Sequence, residues 1–308
     1  MQFNEYLKSC REHSKLTQEE LVHNLYSYNI DYFGGLDTTT LSKWERGITK
    51  PKISKQVDII KYFQERTNIA LPCWENYSAD ETEALICKVG MHNLLGKSKE
   101  LVLNFPDKMI AVDDLKVRQL RNSEMINKAI DINIDLDKGF NHKFTELSAE
   151  HFKEWALHPS NSFYVCEYNN QFFGLLFTLR LKPDSFEQIM DLTMREKDIT
   201  VNDFASFDEM GCNYIISFFA MNKMAASLLF IHYYAHLIAN QKVIQEVGVS
   251  TMMEDSRKLL SNMHFRYHAS LKINKEQVIQ TYRETLPAFL ACEKVVKMIL
   301  LRQECPEE

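Results

Sequence analysis

The sequence predicts a multidomain α+β chain, with an all-α N-terminal domain followed by a mixed α/β C-terminal domain. Three observations carry this. The chain has 308 residues, more than one small core fills. Apolar residues recur at three-to-four spacing from Phe3 through Leu103. From Asp114 the pattern changes to β-rich runs alternating with helical stretches, as in a mixed sheet covered by helices. The expected boundaries are 1–68 for the first domain, 69–112 for a helical connector with possible dimer contacts, 113–271 for the α/β domain, and 272–308 for a C-terminal helix and tail.

Phe3, Tyr6, Leu7 and Cys10 give the first helix its apolar stripe. Thr17, with Glu20 three residues on, forms a capping box for a second helix that buries Leu21, Val22 and Leu25. Asp37 caps a third, through Thr38, Thr39, Thr40, Leu41, Ser42, Lys43 and Trp44, and Gly47 ends it. Thr40, Leu41 and Trp44 form its packing side; Thr38, Thr39, Ser42 and Lys43 lie opposite. Lys43 to Lys55 holds five basic residues, Lys50 and Lys52 among them, against one acid, a local excess suited to phosphate. After Pro51 a further helix carries Val57, Ile59, Ile60 and Phe63 against Trp44.

The segments LKSCREHSKLTQEELV, SKWERG and KPKISKQVDIIKYF together resemble the lambda-repressor/Cro (XRE) type of helix-turn-helix domain, over Met1 to Asn68. The resemblance implies that Thr17 caps the second helix and Gln18 meets the DNA backbone. It further implies that Thr38, Thr39, Ser42 and Lys43 read bases. One departure stands out: Tyr26 to Asp37 is longer than the family's usual turn.

The formal net charge is −6, yet Met1 to Arg66 is net +1, so the acid lies mostly outside the proposed reading head. Hydrophobic residues make up 45% and charged residues 25%, the composition of a soluble globular protein. No run approaches the roughly eighteen apolar residues of a membrane span, and MQFNEYLKSCREH lacks the apolar core of a signal peptide. A cytoplasmic protein without membrane contact is expected. Seven cysteines without a CxxC pair are expected to be reduced thiols.

In the second half, LKVRQL reads as a strand, followed by helices through Ile126 to Ile134 and from Ser148 through Trp155. SFYVCEY and QFFGLLFTLRL form a hairpin across Asn169-Asn170. Lys182 to Gly211 is an insertion with its own helix. NYIISFFA then leads into the helix SLLFIHYYAHLI, VIQEVGVST precedes a helix from Glu254 to Met263, and HFRYHASL is a last strand. Lys275 to Arg302 is expected to be helical, with a kink or break at Pro287.

This element order, with pieces such as FYVCEYNNQFFGLLFTLRL and EDSRKLLSNMHFRY, resembles the GNAT acetyltransferase superfamily over Asp113 to Leu271. That family seats the acetyl-CoA pyrophosphate in a glycine-bearing loop after its fourth strand. The corresponding AMNKMAAS, Ala220 to Ser227, has no glycine. The family's general-acid tyrosine aligns with Leu260, and its frequent asparagine with Met253; neither transfers a proton. The combined expectation is a homodimeric, sequence-specific regulator binding double-stranded DNA, not an enzyme, with no catalytic residues and no cofactor. Its degenerate second domain would sense a small molecule or mediate dimerisation. Phe218, Phe219, Met221, Asn222 and Lys223 are the candidate ligand residues. The alternative is an active acetyl-CoA-dependent N-acyltransferase carried by a DNA-binding head. His232 with His236 and His264 with His268 have ligand-compatible spacing but no further ligand pattern, so no metal is expected.

Overall fold

The computed structural model describes residues 1–93, 114–139, 147–275 and 277–300. It divides into two compact units. The first comprises Met1–Leu94, Tyr234–Lys242 and Pro287–Glu308; the second comprises Leu95–Tyr233 and Val243–Leu286. Residues 94–112 of the expected connector, and the acidic tail, lie outside the described residues.

The first unit is helical among its described residues. Helix α1 (Phe3–His13) buries the expected Phe3, Tyr6, Leu7 and Cys10. Helix α2 (Gln18–Tyr28) starts at the Thr17 capping box: the Glu20 N–H donates to Thr17 Oγ1 at 3.1 Å, and the Thr17 N–H donates to Glu20 Oε2 at 2.7 Å. Leu21 and Leu25 are buried, whereas Val22 is half-buried. The long segment before the next expected helix forms a short helix of its own, α3 (Ile30–Phe33), anchored by buried Phe33. Asp37 caps α4 (Thr38–Glu45) by accepting the Thr40 N–H at 2.6 Å, and Gly47 follows at φ +69°. Helix α5 (Ile53–Thr67) buries Val57, Ile59, Ile60 and Phe63. Helix α6 (Ala79–Asn93) completes the N-terminal series. Helix α3 stands between α2 and α4, where the expected helix-turn-helix has only a turn.

The second unit is built on one mixed sheet. Its strands are β1 (Lys116–Gln119), β2 (Ser162–Tyr168), β3 (Gln171–Leu181), β4 (Gly211–Ala220), β5 (Ile244–Thr251), β6 (Arg266–Lys272) and β7 (Val278–Thr285). The order across the sheet is β1-β2-β3-β4-β5-β7-β6, and only the β4–β5 pair is parallel. β2 and β3 form the expected hairpin, with Asn169 and Asn170 both at positive φ, as its two-residue turn requires.

Helices α7 (Ile126–Gly139) and α8 (Ala149–Leu157) follow β1. Helix α9 (Pro183–Met190) opens the insertion, α10 (Lys223–Ala239) follows β4, and α11 (Glu254–Asn262) follows β5. Apolar side chains surround most of α10, so it is buried nearly all round.

One element departs from the sequence reading. Residues 278–285, expected to open the last helix, form β7, inserted between β5 and β6. Cross-strand charge pairs hold it there. Arg283 grips Glu246 of β5 through Nε (2.7 Å) and Nη2 (2.6 Å), and Arg266 of β6 meets Glu284 at 2.6 Å. Helix formation resumes only at α12 (Leu286–Leu290), with Pro287 in its first turn, and α13 (Glu293–Leu300).

Candidate active site

The sheet opens between its two parallel strands. β4 pairs with β5 only from Gly211 to Ile215, yet it continues beside β3 to Ala220. An extra residue in β4, at the register shift opposite Phe177/Thr178, accompanies the parting. Among the described residues, Ser217 to Ala220 have strand partners on the β3 side alone, and Ile216 is the extra residue. Backbone polar groups on the other side are left for water or a ligand.

A cavity of about 180 Å³ fills this opening. Its apolar wall includes Ile215, Phe218, Phe230, Leu259, Leu260 and Met263, and its polar groups include Asn133, Glu196, Ser217, Ser250 and Thr251. A smaller cavity of about 30 Å³, lined in part by Leu192, Tyr214 and Leu271, shares Glu196, Ser250 and Ile279 with the first.

Three side chains from distant stretches converge at this shared wall. Glu196 comes from a single 3-10 turn in the insertion, Tyr214 from β4 and Ser250 from the end of β5. Parallel pairing of Tyr214 with Gly248 sets the register that brings Ser250 to the tyrosine. The Ser250 hydroxyl donates to Glu196 Oε1 at 2.9 Å and lies 2.5 Å from the Tyr214 hydroxyl, which also donates to Glu196. Burial, then the adjacent Glu196 carboxylate, hold the Tyr214 phenol well above its ordinary range, so it stays a proton donor. Asn133, which also lines the cavity, is 5% exposed, and among the described residues its Nδ2 has no hydrogen-bond partner. A buried donor left unpaired is costly, so a ligand acceptor here recovers a real free-energy loss.

The ligand residues expected from sequence divide. Phe218 and Phe219 line the cavity, both half-buried; the Phe218 ring packs 4.7 Å from Phe230 and the Phe219 ring 6.2 Å from Phe172. Met221, Asn222 and Lys223 are not among its lining residues. Met221 packs on the core, Lys223 is exposed, and buried Asn222 caps α10. Asn222 Oδ1 accepts the Ala225 N–H at 2.8 Å, and its carbonyl accepts the Ala226 N–H at 3.1 Å.

The α10 terminus therefore satisfies part of its first turn itself, without the glycines that let a phosphate approach. These residues do not fit the pyrophosphate cradle of a coenzyme. Leu260 and Met253, which stand where a proton donor was sought, contribute apolar surface to the cavity. No spacing rule in the sequence marks Glu196, Tyr214, Ser250 or Asn133; only the strand register assembles them.

The residues expected at DNA lie in the first unit. Thr38, Thr39, Lys43, Lys50 and Lys52 are exposed, and Ser42 is half-buried. Thr17 is engaged in its capping box, and the Gln18 amide donates to Glu45 at 2.8 Å. Arg11 holds the same buried Glu45 carboxylate through Nε at 2.6 Å. Elsewhere, potential ligand atoms of Glu187, Asp191 and His268 lie within 4.8 Å of one another. Arg283 donates to Glu187 at 2.7 Å and His268 lies 2.7 Å from Asp191, so the cluster reads as an ion-pair network.

No protein-family model matches the chain, and no curated protein matches it. Solved structures do. FeeM, an N-acyl amino acid synthase from uncultured soil microbes, is 12% identical, over 57% of this chain and 92% of that one, with a TM-score of 0.40. The acetyltransferase that modifies the N-terminal serine of ribosomal protein L7/L12 in Salmonella typhimurium is 13% identical, over 57% and 98%, with a TM-score of 0.37. An aminoglycoside 6'-acetyltransferase type Ii is 8% identical, over 56% and 97%, with a TM-score of 0.36.

The reading as a DNA-binding transcriptional regulator that is not an enzyme is corrected here. The structures that resemble the chain are N-acyl- or N-acetyltransferases, on the side of the alternative reading. The cleft also holds a carboxylate–hydroxyl set that the sequence reading did not place. Among the described residues no helix is long and apolar enough to cross a membrane. Over its C-terminal part the chain is similar to GNAT acetyltransferase-like structures.

Proposed function

We propose that the second unit is an N-acyltransferase, moving an acyl group from a thioester to the amine of a small acceptor bound in the β4–β5 cleft. The small-molecule ligand expected from the sequence is then a substrate. The observation that carries this reading is the opened sheet edge with the Glu196–Tyr214–Ser250 set at its wall.

Transfer forms a C–N bond and breaks a C–S bond. The attacking amine must lose a proton, and Glu196 is the base that takes it, directly or through the Ser250 hydroxyl. The opened edge of β4 supplies backbone donors and acceptors to an extended, amide-bearing donor arm, as an added strand would use them. Asn133 Nδ2 is placed to donate to a carbonyl or carboxylate oxygen of a substrate.

Absence of the tyrosine acid does not silence such a site. A thiol ionises near pH ~8.5, so a thiolate leaves with far less protonation than an amine or alkoxide needs. The apolar wall around Leu260 and Met263 suits the acyl group and keeps water from the thioester.

The test incubates the full chain with thioesters of increasing acyl length and a panel of small amines, reading N-acylated product by mass spectrometry. Product that requires both substrates and falls sharply with Glu196→Gln is the expected result. Complete inactivity across donors, with no stabilisation of the fold by any of them, overturns the reading.

A further inference from the structure

Among the cysteines of the first unit, two occupy a position that the proposed acyl transfer does not use. Cys10 lies on the buried face of α1, and Cys73 lies in the tight turn between α5 and α6. Sixty-three positions separate them in sequence, yet their sulfurs are 3.4 Å apart. Cys73 has φ +67°, a left-handed conformation that residues with a side chain seldom adopt. Cys10 is 2% exposed, whereas Cys73 is half-buried.

We propose that Cys10 and Cys73 are an oxidation site, at which a peroxide converts the two thiols into a disulfide linking α1 to the α5–α6 turn. Exposure assigns the roles, and the electrostatics agree. Cys73 is half-buried and Cys10 is buried, and either sulfur can donate in the contact they share; with Cys10 as donor the Cys73 thiol is lowered against burial and Glu75, while burial, then Cys73, hold Cys10 far above the ordinary thiol range. Cys73 is therefore the attacking thiolate and Cys10 the resolving thiol. The Cys73 sulfur attacks one peroxide oxygen and the O–O bond breaks. The departing hydroxide takes up the proton that Cys73 gave to solvent, leaving Cys73 as a sulfenic acid. The Cys10 sulfur then attacks the Cys73 sulfur, the S–O bond breaks, and hydroxide leaves with the Cys10 proton as water. Two sulfurs are oxidised, one peroxide is reduced, and two waters form. Closing from 3.4 Å to a bond of ~2.05 Å asks for a shift of little more than 1 Å.

Other thiols serve as internal controls. Cys166, Cys212 and Cys292 are buried, and burial raises each, Cys166 and Cys212 to about 12. Cys87 is half-buried like Cys73.

The experiment treats the full chain with stoichiometric hydrogen peroxide, blocks remaining thiols by alkylation, and maps peptides by mass. A Cys10–Cys73 cross-link forming at least tenfold faster than any other cysteine modification is expected, reversed by dithiothreitol and unaffected by Cys87→Ser. Oxidised protein should also melt several degrees higher than reduced protein, a difference absent from Cys73→Ser, whose half-buried site makes it the variant suited to the comparison. Cys73 advancing to a sulfinic acid beside an intact Cys10 thiol overturns the proposal. So does a dominant cross-link through another cysteine, or no reaction at either sulfur.

Discussion

The two halves of β4 are continuous in sequence and opposite in physics. From Gly211 to Ile215 the strand is buried and flanked by β3 and β5. There Asn213 accepts the buried Tyr233 hydroxyl at 2.9 Å, so even the polar side chain is satisfied internally. From Ile216 to Phe219 the side chains are half-buried and only β3 stays alongside. The first half spends its hydrogen-bonding capacity on the fold, and the second holds part of it for a ligand. Where a sheet is complete it is structure, and where it parts it becomes a site.

That contrast predicts which substitutions damage catalysis and which damage stability. Glu196→Gln keeps an acceptor for Ser250 and Tyr214 but removes the proposed base. Turnover should fall ~10²- to 10⁴-fold with little change in melting temperature, read by initial rates beside thermal unfolding.

On the closed side, buried Arg180 of β3 donates through Nη2 to the carbonyls of Glu209 (2.8 Å), Val243 (3.3 Å) and Phe207 (3.4 Å), bracing the chain where β4 and β5 begin. Arg180→Met should cost about 3 kcal/mol in denaturant unfolding by leaving those carbonyls short of a donor. A smaller loss, about 2 kcal/mol, is expected for Gly248→Ala. Its new Cβ would meet Phe186 Cζ at 2.6 Å and Met190 Sδ at 2.7 Å, where α9 crosses β5. The smallest effect belongs to the open side. Asn133→Leu removes an unpaired buried donor, so stability should hold while KM rises about tenfold, roughly 1.4 kcal/mol, if that amide meets substrate. Equal KM in both proteins would remove Asn133 from the site.

Much of this architecture was legible because local chemistry and tertiary packing agree. Thr17, Asp37 and Gly47 mark helix boundaries with groups that satisfy backbone atoms within a turn, and Asn169-Asn170 specifies a hairpin by tolerating positive φ. β7 misled for the complementary reason. Gln277, Gln280, Arg283 and Glu284 suit a helix in isolation, and their charge partners Glu246 and Arg266 lie in other strands. The site was least visible. Tyr214 and Ser250 meet through β4–β5 register, and Glu196 arrives from an insertion whose sequence carries no catalytic spacing. Leu260 and Met253 offer the cavity only apolar surface. It did not follow that the cleft lacks proton chemistry, because a different set of residues occupies its wall.

The wall common to the large and small cavities has a thermodynamic corollary. Glu196 and Ser250 border both, so a guest of the large compartment that bonds either group would draw on polar atoms that the small one also uses. The small one has room for about a single water, so filling the large compartment would change how tightly that water is held.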